Sequence, residues 1–425
     1  MKIAIIGAGV SGITAAHLLK KEHDITIYES NNYIGGHVNT IDIYSEEIPL
    51  SIDTGFIVFN NWTYPNFQKL ISNLDIKIQN SEMSFSAKCE ETGFEWSGSG
   101  LHSLIFNRDN WKQLKPYQIF YDIVRFKNNA ITFLNQTSKQ QTLGEFLTLN
   151  KFSQAFIKYY ILPMGAAIWS SSFEQINDYP ARSFLAFFQN HGLLNIKVRP
   201  QWKTIVGGSK QYMTELTKPF INKIHIGTAV NKVKRVANRV EIFSLGRAAE
   251  YFDHVFFACH SDQALSLLDR PSTNENKILG SIQFQNNVAV LHTDESIMPK
   301  RKSAWSSWNY LVPKESSNTA IVTYYMNRLQ NLACENNYFV TLNPIQEIHT
   351  SKIIKTIDYM HPVFDQLAIK AQKKYRTING KNNSWFCGAY WRNGFHEDGV
   401  WSAIRAVEQF NKQIKNEELY LQRAS

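Results

Sequence analysis

The chain has 425 residues, 44% of them hydrophobic, with a formal charge of +9 and an isoelectric point near 9.1. Such a length exceeds what one hydrophobic core usually supports, so two globular domains are expected. The positive charge comes without a basic block or a nucleic-acid motif, which argues against a nucleic-acid partner. Cys89, Cys259, Cys334 and Cys387 are scattered without C-x-x-C or ligand spacing, so they read as free thiols in a reducing compartment and no metal site is expected.

The opening residues read as strand, turn, helix, strand. Ile3 to Ile6 is a buried-type strand running into Gly7-Ala8-Gly9-Val10-Ser11-Gly12; a helix with Ala15, Ala16, Leu18 and Leu19 follows, then a second strand from Asp24 to Tyr28. In a dinucleotide turn of this kind Gly7 permits the tight turn, Gly9 lets the backbone approach a pyrophosphate, and Gly12 lets the helix pack closely. Val10 and Ser11 open that helix, so its positive end meets the phosphates. Glu29, followed by Ser30, ends the second strand where an acid accepts ribose hydroxyls. The first strand begins at once, leaving no room for a cleavable signal, and no apolar run approaches ~18 residues. A cytoplasmic protein is expected, with contact at the inner membrane surface left open.

Next comes Asn31-Asn32-Tyr33-Ile34-Gly35-Gly36-His37. It resembles the second glycine pair that follows the acid in FAD enzymes of the amine-oxidase and phytoene-desaturase clan. The clan commonly carries arginine after this pair, near the flavin phosphates; His37 departs from that. Val38 to Ile43 suggests a strand, and Ser51 to Phe59 brings the chain back through Asp53-Thr54-Gly55. By the resemblance, Thr54 and Gly55 pass close to the flavin. Tyr64 to Leu74 reads as an amphipathic helix.

From about Ser84 the pattern changes. Leu101 to Leu134 interleaves Trp111, Tyr117, Phe120, Tyr121 and Phe126 with Lys112, Lys115, Arg125 and Lys127. It reads either as an amphipathic cap with solvated charges or as a surface resting on anionic lipid. Leu143 to Leu149 and Gln154 to Ile161 look helical, with Pro163 closing the second. Met164 to Ser170 is small and apolar, ending in Trp169. Ala181 to His191 is an aromatic helix, and His191 reads as a structural histidine.

Gln201 to Ser209 leads back toward the cofactor domain through Gly207-Gly208, and Ile224 to Val233 gives a strand in which, by the resemblance, Val230 meets the adenine through its backbone. A second excursion, about Ser281 to Thr356, holds strand-like runs at Asn287–His292, Ala320–Met326 and Tyr338–Leu342. Lys300, Arg301 and Lys302 precede its tryptophans; related amine oxidases use a lysine beside the flavin, but no lysine here can be matched. The chain then runs from Ser384 to Gly388, and Ala389-Tyr390-Trp391-Arg392-Asn393-Gly394-Phe395-His396-Glu397-Asp398-Gly399 leads into a helix from Trp401 to Phe410. Amides at such a helix start can face a flavin carbonyl. Glu397 and Asp398 there read as caps.

DTGFIVFN, LPMGAAIWS, FFQNHGLL, RPQWKTIVGGS, SSWNYL, MNRLQ, HPVF and CGAYWRNGFHEDG together resemble a bacterial family of FAD-dependent, amine-oxidase-like oxidoreductases, often encoded beside cyclopropane-fatty-acid-synthase-type methyltransferases. The resemblance implies an α/β fold: an FAD-binding Rossmann-like domain of the glutathione-reductase type, with an inserted mixed-sheet and helical substrate domain. The expected segments are 1–83, 200–280 and 357–425 for the first domain, and 84–199 and 281–356 for the second. It implies non-covalent FAD held by Gly388, Gly394, Phe395 and His396 besides the opening residues, a lipid or fatty acyl substrate, and a methyltransferase pathway partner. Phe395, His396 and Trp391 are the candidate catalytic residues, with no acid or base assigned. A double-bond isomerase, an amine oxidase and a non-catalytic flavin or lipid binder remain alternatives.

Overall fold

The computed structural model describes residues 1–45, 48–98, 115–136, 140–195, 198–315 and 317–424. Trp111 and Lys112, part of the aromatic and basic stretch, lie outside the described residues.

Five parallel strands form the first sheet, in the order Ile224–His225, Asp24–Tyr28, Lys2–Ile6, His254–Phe257 and Ser384–Phe386. Parallel strands are covered on both faces and so are apolar along their buried length, as the run Ile3 to Ile6 shows. Ile3 and Ile5 pack against Ile13 and Ala16 of the helix Val10–Leu19, Tyr212 of Lys210–Thr217 and Phe410 of His396–Ala424. Ala4 and Ile6 point the other way, onto Val240 and Ile242 of a three-stranded antiparallel sheet and onto Leu279.

The second sheet has seven strands, in the order Ile353–Pro362, Phe284–His292, Phe339–Leu342, Val322–Tyr325, Trp308–Val312, Phe85–Cys89 and Glu95–Ser97. Every neighbouring pair is antiparallel except Trp308–Val312 with Phe85–Cys89, so the sheet is mixed. The boundary expected at 356/357 falls inside the strand Ile353–Pro362, whose whole length pairs with Phe284–His292. Hydrogen bonding therefore carries this strand with the second sheet, and the return to the first comes after Pro362.

Helices between 115 and 190 cap this sheet. The helix Lys115–Asn135 buries Ile119, Phe126 and Phe133 while leaving Tyr117, Tyr121 and Val124 exposed. Pro163 does not close the preceding helix as expected but sits in the first turn of Leu162–Trp169. A proline removes the bond to the carbonyl four residues back, and that carbonyl, of Tyr159, instead accepts the Trp96 indole N–H at 2.7 Å. Among the described residues no helix is long and apolar enough to cross a membrane.

Candidate functional site

A cavity of about 700 Å³ is lined by residues in the turns that follow strands of the first sheet, by residues of the second sheet and by the helical cap. Gly7, Gly9, Val10 and Ser11 form one wall, with Gly12 behind them. A Cβ on Gly12 would collide with the Gly7 carbonyl oxygen, so only glycine lets the helix approach this strand. Gly9 is different: a Cβ there would meet nothing closer than 3.7 Å, and its face toward the cavity is open. The second glycine pair is tied to the first by a bridge from Gly9 to Gly35 and by the Gly35 N–H to the Ala8 carbonyl, 3.0 Å. Gly35 and Gly36 both line the cavity.

Glu29 lines it too, at 5% exposure. Its carboxylate accepts from Ala8 N at 2.7 Å, Asn31 N at 2.9 Å and Ser30 Oγ at 3.3 Å. A carboxylate offers roughly four acceptor positions, so acceptor capacity remains for a ligand hydroxyl. Together with the start of an α-helix, these residues fit a dinucleotide.

Thr54 and Gly55 line the next stretch, where the Thr54 hydroxyl donates to the Asn39 carbonyl at 2.9 Å and lies 2.7 Å from the Tyr359 hydroxyl. Asp53 beside them is fully buried and accepts from Thr40 Oγ1, Ser209 N and Oγ, and Gln330 Nε2. Burial pushes its carboxyl up to about 7. The Asp-x-Gly segment is thereby tied to Ser209 at the start of the helix Lys210–Thr217, to Gln330 and to Tyr359 of the second sheet.

His37 packs on Tyr359, with His361 and His260 at 5.5 and 5.8 Å between ring centroids. All four line the cavity. Burial holds His37 and His260 down to about 4 and His361 down to about 3, so the imidazoles are neutral. A permanently charged arginine is thus replaced by a buried, uncharged ring. Tyr359, His361 and His260 escaped the sequence reading. The available signal was the two-residue spacing in Tyr359-Met360-His361, which puts both rings on one face of a strand.

The far arm of the cavity is aromatic. Phe395 stacks on Phe187 at 5.6 Å and 26°, and Phe187 on His191 at 3.8 Å. Trp169 lines the same cavity at 4% exposure, packed on Phe187 at 4.8 Å, and its indole nitrogen has no partner. Trp96, Trp308 and Tyr324 continue the wall. His191 is held by the Phe187 carbonyl at 3.0 Å and lowered to about 4 by burial. Among the described residues the lining holds one cation, Arg199, two carboxylates, Glu29 and Asp358, and no lysine.

Gly388, Gly394 and His396 also line the cavity, but the closing helix begins at His396 rather than Trp401. Gly394 takes a positive φ of 93°, and Asp398 Oδ2 accepts from Asn393 N and Phe395 N at 3.1 and 3.0 Å, which starts the helix early. Glu397 is tied to Phe67 N at 2.9 Å and to Asn66. Both acids are therefore engaged as tethers. The His396 ring sits between Phe67 and Phe56, each 4.5 Å away, and burial lowers it to about 3. That environment disfavours a charged imidazole, so a role for the ring as an acid is not supported.

Two expected residues lie elsewhere. Trp391 does not line the cavity: the short turn Ala389–Trp391 directs it onto Tyr375, 5.9 Å away, and it is Tyr390 that faces in. Val230 is also outside the lining. The single expected strand is broken at Gly227, with φ of 61°, so Ile224–His225 joins the parallel sheet while Val230–Val236 enters the antiparallel one.

The NAD(P)-binding Rossmann-like domain family matches residues 5–74. A zeta-carotene desaturase of Capsicum annuum is 28% identical over 212 residues, 48% of this chain but only 30% of that protein. The chain therefore spans less than a third of this curated relative. Among solved structures, a CLA-producing fatty acid isomerase from P. acnes superposes with a TM-score of 0.68 at 15% identity, over 96% of this chain and 98% of that one. Putrescine oxidase bound to putrescine gives 0.67 at 12% identity, over 97% and 99%. The chain thus carries a Rossmann-like nucleotide-binding segment and shares, along nearly its whole length, the fold of putrescine oxidase and of the fatty acid isomerase.

Proposed function

We propose that the cavity binds FAD without a covalent link and that the protein is an FAD-dependent oxidoreductase acting at carbon on a lipid or fatty acyl chain. The observation that carries this reading is the continuity of the glycine turn and Glu29 with an aromatic arm that, among the described residues, contains neither lysine nor a paired carboxylate. In this reading residues 1–83, 200–280 and the chain after Pro362 hold the cofactor, and the two intervening segments hold the substrate.

When bound, a flavin supplies two-electron chemistry that no side chain offers. The chain's own part is to orient and to keep water out. Phe395, Phe187 and Trp169 present apolar faces suited to an acyl chain. Backbone amides at the start of the helix His396–Ala424 offer positive potential to an acceptor oxygen. Cys259 lines the cavity, but burial pushes its thiol up to about 12, where it is a poor nucleophile; this supports a non-covalent cofactor.

Isomerisation of a double bond uses the same cavity without net oxidation. It is favoured by an arm whose imidazole, His191, is neutral and tied to the backbone. Anaerobic titration of the FAD-loaded protein with fatty acyl lipids and with amines tests both readings. Bleaching of the flavin band by a lipid supports dehydrogenation, and a shifted double bond without bleaching supports isomerisation. Bleaching by amines alone overturns the lipid reading.

A further inference from the structure

Arg199 is the single lysine or arginine lining the cavity among the described residues. Its Nε donates to the Asn195 carbonyl at 3.3 Å, and no carboxylate among the described residues pairs with its guanidinium. A guanidinium without a carboxylate partner keeps its fork of donors available, and such forks pair with carboxylates or phosphates through two parallel hydrogen bonds.

The backbone holds it in place. Arg199 precedes Pro200, which fixes the chain direction, and this dipeptide packs on Gly192. A Cβ on Gly192 would lie 2.9 Å from the proline ring and 3.7 Å from Arg199 Cα. Gly192 follows His191, whose ring lies on Phe187 and 6.3 Å from Phe395. On its other side Arg199 is near Tyr160, whose hydroxyl feels its charge. Tyr160 stacks on Trp96 at 5.4 Å. Arg199 is thus an exposed residue of the same cavity wall that Tyr160 and Trp96 line.

We propose that Arg199 anchors the anionic head of a lipid whose chain enters the aromatic arm. The head is a carboxylate of a free fatty acid or a phosphodiester of a phospholipid, each presenting a pair of anionic oxygens that a guanidinium grips. An alkylamine would meet an unpaired positive charge instead. The anchor rests on the lipid reading above and narrows it to lipids with a negative head.

The test uses the full-length FAD-loaded protein, as wild type, Arg199→Gln and Arg199→Lys, titrated with oleate, oleoyl lysophosphatidylglycerol and methyl oleate while flavin absorbance and tryptophan fluorescence are followed. The expected result is that wild type holds at least one anionic lipid about tenfold more tightly than the ester. Arg199→Gln should lose that preference with ester affinity unchanged, and Arg199→Lys should keep part of it. Preference for oleate alone identifies a carboxylate, and preference for the lysophospholipid alone a phosphodiester. Equal affinity of wild type for all three, or an equal loss for all three in Arg199→Gln, overturns the anchor and leaves the lipid reading standing. No binding of any of the three to a protein that retains FAD overturns both.

Discussion

The His37 ring lies over the Tyr359 ring with centroids 5.0 Å apart and planes 24° from parallel. This contact joins the second glycine pair to the edge strand of the seven-stranded sheet, and the hydroxyl contact between Tyr359 and Thr54 reinforces it. Tyr359→Phe keeps the stack and loses one hydrogen bond, for an expected cost of about 1 kcal/mol. Tyr359→Ala removes the ring as well, for about 3–5 kcal/mol. Urea unfolding of the two variants should show this order, and equal midpoints would mean that the contact does not hold the sheets together.

Gly12 and Gly9 should fail in different ways. At Gly12 an added methyl meets the backbone of the strand, so Gly12→Ala is expected to lose folded protein. Gly9 has an ordinary φ of −75° and room for a methyl, so Gly9→Ala should fold yet bind FAD weakly because the methyl stands where the phosphates would approach. Circular dichroism and the ratio of flavin to protein absorbance separate the two. Full flavin occupancy in Gly9→Ala would remove the pyrophosphate from this turn.

Phe395→Ala opens the wall formed with Phe187. Burying an aromatic side chain against an acyl chain contributes on the order of 1–2 kcal/mol, so lipid affinity should fall about tenfold. FAD occupancy should stay near that of wild type. Unchanged lipid affinity would place the acyl chain elsewhere in the cavity.

Acid should destabilise the protein measured without added cofactor. Burial holds His37, His191, His260 and His292 down to about 4, and His361 and His396 down to about 3. The unfolded chain protonates these rings near pH ~6.5, so from about 6.5 to 4 it binds more protons than the folded chain, and stability falls with pH. Asp53 and Asp398, raised by burial to about 7 and about 6, act in the opposite sense over much of that window. Six imidazoles outweigh two carboxyls, so Tm should drop on acidification, and His361→Gln should make the drop shallower. A Tm that rises from pH 6.5 to 4 would mean that the carboxyls dominate.

The sequence made the dinucleotide turn legible because each of its glycines answers a local constraint: a turn, an approach or a packing contact within a few residues. The rest of the cavity was harder to read. Phe395 could be located from its motif, but Tyr359, His260 and Arg199 come from distant segments and meet only through the packing of two sheets. Trp391 and Val230 are not among the lining residues, and each follows a local conformation a few residues long, the Ala389–Trp391 turn and the break at Gly227. Adjacent residues on a short turn point in different directions, so choosing Tyr390 over Trp391 needs dihedral angles rather than composition.

The parallel sheet draws strands from three far-apart stretches, and its last strand, Ser384–Phe386, comes just before the segment that closes the cavity. During synthesis the glycine turn at Gly7–Gly12 would thus leave the ribosome with its opposite wall still some hundreds of residues away. At about 5–20 residues per second, that wall follows on the order of 20–80 s later. Nascent chains would expose a half-built nucleotide site for this interval, so cofactor capture belongs to the finished polypeptide. Truncations that remove only the closing helix should emerge colourless even when the opening strand, turn and helix are intact.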